Sequence, residues 1–148
     1  MYIDTLIKIF ARNFDKFKQD ITLYHNKSNL WLLNKSISYY AGNLCLHRIG
    51  ILNHFKGGVI GDAHYIRDRE LEFAHKNVPR VNLLVDIDTT IVVVENTSIS
   101  LHFRNLDTIY PIEVLKEPMT KAYFLTHLVN HLSYHMGQIN YHKRFLDA

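Results

Sequence analysis

The apolar residues of the first segment fall at Ile3, Ile7, Phe10, Phe14, Phe17, Ile21 and Tyr24, at intervals of 4, 3, 4, 3, 4 and 3. At about 100° per residue, positions three and four apart return to one side of a helix, whereas a half-buried strand needs strict alternation. This spacing therefore predicts a helix with one apolar stripe. Lys8, Arg12, Asp15, Lys18 and Gln19 lie off the stripe, where solvent wants them. A stripe of this kind is stable only when other helices cover it.

The same period recurs three times. A second segment opens near Ser36, a plausible N-cap, and its stripe reads Ile37, Tyr40, Leu44, His47, Ile51 and His54. Gly57-Gly58 and Gly61-Asp62 end it and open a long connection. Tyr65-Ile66-Arg67-Asp68-Arg69-Glu70 is charged and is expected on the surface as mutual ion pairs. A third segment starts around Val78-Pro79, with Leu84, Ile87, Ile91, Val94 and Leu101 at bundle spacing. Its stretch TTIVVVENTSISLHF is β-branched enough to suit a strand, but the 3/4 spacing persists and no partner strand is evident, so helix is the reading. Pro111 and Pro118 bracket a connection, and Thr120 can cap the last helix, which carries Leu125, Leu128, Leu132, His135, Ile139, His142 and Leu146. The expected fold is all-α: a four-helix bundle with one long connection, forming one domain over residues 1–148.

Composition narrows the function. The formal charge of +3, without a dense Lys/Arg stripe, gives no footing for nucleic acid. One cysteine, Cys45, excludes an intrachain disulfide and argues against a cysteine-based zinc site, so a reducing cytoplasm is the expected setting. No apolar run reaches the roughly 20 residues that cross a bilayer, and no membrane partner is expected. The aromatic content of nine Tyr, eight Phe and one Trp leaves apolar area for a homodimer through the first or third helix.

The chemistry sits in HLVNHLSYHMGQINYH, residues 127–142, where four of the ten histidines gather. His127, His131 and His135 are spaced i, i+4, i+8 on one helix face. An i, i+4 pair can bring two imidazole nitrogens to one ion, and His47 or His54 on the second stripe can supply a third. Three neutral imidazoles suit Zn, Ni, Fe or Cu. Spacing alone does not choose between His127/His131 and His131/His135. A histidine on a helix stripe is more often a hydrogen-bonded core residue than a ligand, and that reading competes here. Asn43, Asn130 and Gln138 are further polar neighbours, Cys45 should point away from His47, and His142 is expected to be peripheral.

NLCLHRIGILNHF, then YIRDRELEF, NVPR and HLVNHLSYHMGQINYHKRFL, resemble in order the DinB superfamily of metal-binding helical proteins. The last motif, His-x3-His-x-Gly-Gln, is fairly specific. The resemblance implies a divalent metal inside a four-helix bundle, held by one histidine of the second helix and two of the last. By motif these are His47, His131 and His135. It implies Zn or Ni first, with Fe or Mn behind them. It also implies a reaction between a low-molecular-weight thiol and an electrophile, in the manner of thiol S-transferases. Metal-dependent hydrolysis, or a non-catalytic metal-binding dimer, are the alternatives. His54 and His127 are the weaker candidates for catalytic groups. One departure stands out: relatives commonly read like HLVGNLNHF where this chain has Arg48 beside the ligand and Ile51 at a usually polar place.

Overall fold

A computed structural model describes residues 2–55, 64–101 and 106–148. The described residues form five α-helices and no strand beyond one isolated bridge, Ile109 to Thr120. The helices are α1 (Tyr2–Thr22), α2 (Ala41–Ile51), α3 (Arg69–Ala74), α4 (Arg80–Ser100) and α5 (Lys121–Leu146). A 3-10 turn, Lys27–Trp31, follows α1. No helix among the described residues is long and apolar enough to cross a membrane.

The four longer helices surround one core, with α1 against α4 and α5, and α2 against the same two. α1 buries Ile3, Leu6, Phe10, Phe14, Phe17 and Ile21, with Ile7 at the edge of the stripe. Burying each such side chain stabilises the fold by about 1.5–3 kcal/mol. The β-branched segment is helical through Ser100, as its spacing required. Its buried hydroxyls bond back to the preceding turn: Thr90 to the Asp86 carbonyl at 2.7 Å, Thr97 to Val93 at 2.8 Å and Ser98 to Val94 at 2.7 Å. Those bonds satisfy the polar groups inside the helix, and burial of Leu83, Ile87 and Val94 outweighs the weak propensity. Thr120 caps α5 as expected, accepting from the Tyr123 amide at 3.1 Å.

The start of the second helix differs from the sequence reading. Ser36 lies in a turn closed by the Ile37 amide on the Asn34 carbonyl, and α2 begins only after Tyr40, so Ile37 and Tyr40 precede the helix. Beyond Ile51 the backbone widens into a π-helical turn over residues 52–55, a feature common at functional sites. The glycine pairs expected to end the helix lie outside the described residues. In α2 every residue but Leu46 is buried, because α3, α4 and α5 enclose it.

Candidate metal centre

α5 places His131 and His135 one turn apart, with ring centroids 4.5 Å from each other and their Nε2 atoms separated by 3.2 Å. α2 presents His47 to both, its ring 5.3 Å from His135 and 6.1 Å from His131. One ligand atom from each of the three lies within 4.8 Å of the others. Nitrogens bound to zinc at about 2.0–2.1 Å in a tetrahedron stand roughly 3.4 Å apart. The cluster is thus compatible with metal binding, and it contains His131 with His135 rather than with His127. His127 stacks on His131 at 5.7 Å, continuing a column from Phe124. His54 lies outside the cluster, its ring edge-on to Phe55 at 4.6 Å.

The rings are oriented by hydrogen bonds from behind. His47 Nδ1 meets Glu72 Oε1 at 3.1 Å, so its N–H donates to the carboxylate and Nε2 remains for an ion. Glu72 is itself gripped by Arg67, Nε to Oε2 at 2.9 Å and Nη2 to Oε1 at 2.9 Å. Asp68 caps α3 through the Leu71 amide, and Asn43 of α2 donates to the Glu72 and His75 carbonyls, which fixes α3 on α2. Gly50 leaves the space that the Glu72 carboxylate enters. His135 Nδ1 meets Gln138 Oε1 at 2.5 Å.

Charge alternation had suggested that Arg67 to Glu70 pair on the surface. Asp68, Arg69 and Glu70 are exposed, but Arg67 is half-buried and its partner is Glu72. Glu72 was missed because a lone glutamate in a charged run carries no sign of burial. The only available signal was its place inside the YIRDRELEF motif. Asn43 is a buried hydrogen bonder, Asn130 is exposed, and Cys45 is buried with its thiol pushed up by burial. His142 is away from the cluster yet buried, bonded to the Tyr24 hydroxyl at 2.9 Å and the Leu32 carbonyl at 2.9 Å.

Burial first, and then the charge of Arg48, lower His131 to about 3. Burial also lowers His135, to about 4, against the hydrogen bond that its ring donates to Gln138. Both imidazoles are therefore neutral at pH 7, the form that ligates. Burial would raise Glu72, but the bonds from His47 and Arg67 outweigh it and hold the carboxyl below its ordinary value. Arg48 is 0% exposed, and its Nη1 stands 2.7 Å from His131 Nδ1. Burial and the neighbouring Arg67 lower it to about 9, which leaves it charged at pH 7.

His47 and His131 line a cavity of about 280 Å³ together with Ile51, Phe55, Phe124 and His127. Arg67 and Arg69 also face it. Ligand pockets start near this size. With His47 and His131 in its wall, the cavity leaves room for a small molecule to reach the three-histidine cluster.

No curated protein and no solved structure matches the chain significantly. Residues 92–144, from within α4 through most of α5 and including His131 and His135, match the model of the DinB family.

Proposed function

We propose that the chain is a one-domain, cytoplasmic, four-helix-bundle protein that holds one divalent ion through His47, His131 and His135. Zn or Ni is the first choice, and Fe or Mn the second. We propose further that it is an enzyme of the thiol S-transferase type, joining a cellular thiol to an electrophile. The observation that carries this reading is the three-histidine cluster bordering a cavity.

The bound ion would supply a lowered pKa for a coordinated thiol, or polarisation of the electrophile. The chain's own residues do the rest. Glu72 and Gln138 hold His47 and His135 with Nε2 facing the cluster. Ile51, Phe55 and Phe124 give the cavity an apolar lining, and Arg69 favours a substrate that carries negative charge. His127, lowered by burial and by Arg48, is neutral and is the group placed to accept a proton.

The test is to incubate metal-loaded protein with a panel of low-molecular-weight thiols and a model alkylating electrophile, following the thioether product by mass spectrometry. Metal-dependent product supports the reading. Ester or amide hydrolysis without thiol use redirects it to metal-activated water. Neither activity leaves an ion that ties α2 to α5, a role favoured by the ligands' origin on two helices packed together. As the partner we propose a second copy of the chain, meeting on the α4 face that exposes Val81, Val85, Val92 and Ile99. Light scattering at micromolar concentration should give twice the 17.4 kDa chain mass, and the monomer mass would refute the dimer.

A further inference from the structure

We infer that Arg48 opposes the ion at His131, so that this site takes up a metal reversibly, exchanging an arginine hydrogen bond for the ion. This rests on the metal reading above.

A guanidinium only donates hydrogen bonds. With Nη1 at 2.7 Å, His131 Nδ1 must be the acceptor, and a neutral ring then carries its hydrogen on Nε2. That N–H points to His135 Nε2 at 3.2 Å, and His135 Nδ1–H donates in turn to Gln138 Oε1. Without an ion the cluster is an unbroken run of hydrogen bonds, Arg48 to His131 to His135 to Gln138. His47 and His135 direct their Nδ1 hydrogens outward, to Glu72 and Gln138, and offer Nε2. His131 alone has the opposite tautomer. For its Nε2 to ligate, the hydrogen must sit on Nδ1, where the Arg48 donor stands.

Charge acts in the same direction. Arg67 is neutralised by Glu72, but among the described residues Arg48 has no carboxylate partner, and its Nε and Nη2 are buried without a hydrogen-bond acceptor. An arginine retained for stability would be paired, since an isolated buried charge is costly. Here the unbalanced positive charge lies against a proposed ligand of a dication.

The test measures zinc dissociation constants by competition with a chromophoric chelator for wild type, Arg48→Met and Arg48→Lys. Arg48→Met should bind at least about tenfold tighter, the size of effect seen when groups behind metal ligands change, with Arg48→Lys near wild type. Equal or weaker binding by Arg48→Met overturns the inference while leaving the metal site standing. Absence of zinc binding in all three overturns the metal reading and this one with it. If Arg48→Met does not fold, nitrogen-15 NMR of metal-free wild type decides: an Nε2–H tautomer at His131 supports the inference, and an Nδ1–H tautomer refutes it.

Discussion

Replacing Gly50 by alanine should destabilise the protein, against the usual benefit of alanine in a helix. A Cβ at Gly50 would stand 1.8 Å from Glu72 Oε2, 2.5 Å from its Cδ and 3.2 Å from Oε1. Restoring ordinary contact at about 3.5 Å requires the carboxylate to retreat by roughly 1.7 Å. The bonds at 2.9 Å from Arg67 and 3.1 Å from His47 then stretch beyond hydrogen-bonding range. Bonds to a charged group contribute about 1.5–3 kcal/mol each, and Arg67 regains part of its loss from water. Alanine returns about 1 kcal/mol of helix propensity. The net loss is about 2–5 kcal/mol, which in a chain of this size lowers Tm by roughly 5–15 °C. Gly137, on the exposed side of α5 with no atom within 4 Å of its would-be Cβ, is the control. Gly137→Ala should gain about 1 kcal/mol. The assay is thermal unfolding followed by circular dichroism. If Gly50→Ala melts at or above wild type while Gly137→Ala rises, Glu72 does not occupy that space and the account of how His47 is oriented fails.

Metal-free protein should weaken as pH falls from about 6.5 toward 5, because His131 and His135 stay neutral when folded but take up protons when unfolded. Stability is complete above the unfolded value and is lost as pH drops toward the folded ones. Glu72 and Asp147, held below their ordinary values, act only at lower pH. Urea midpoints at pH 8 and pH 5 measure this, and His131→Gln/His135→Gln should flatten the dependence in part; a wild type with equal midpoints refutes it. His142→Phe should cost about 1–3 kcal/mol, since the buried Tyr24 hydroxyl loses an acceptor, without changing metal content. A melt shifted by less than about 1 °C would show that the Tyr24–His142 bond contributes little.

Periodicity exposed α1, α4 and α5 because each buries one face and leaves the other in solvent. α1 and α5 were legible from residue spacing alone, and α4 was legible although its residue types favour strands. The false start at Ser36 arose because Ile37 and Tyr40 continue the period by coincidence while the backbone makes a turn. The histidine spacing left two pairs open, and the fold gathers His131 and His135, rather than His127, with His47. Arg67 and Glu72 were illegible because they meet across a loop onto α2, and charge runs on a page look solvated. Arg48 was visible as a departure, but its position was not. One residue after His47 it should face another way, yet α2 has no solvent face, so that direction is also interior.

The measurement that bears most directly on the central claim is metal content by inductively coupled plasma mass spectrometry, on untagged protein purified without chelator and reconstituted with Zn or Ni. The account predicts about one ion per chain, lost in His47→Ala, His131→Ala and His135→Ala but kept in His54→Ala and His127→Ala. Protein that takes up no ion, or keeps it in all three ligand variants, would mean that these imidazoles are hydrogen-bonded core residues and that the enzyme reading has no chemical basis.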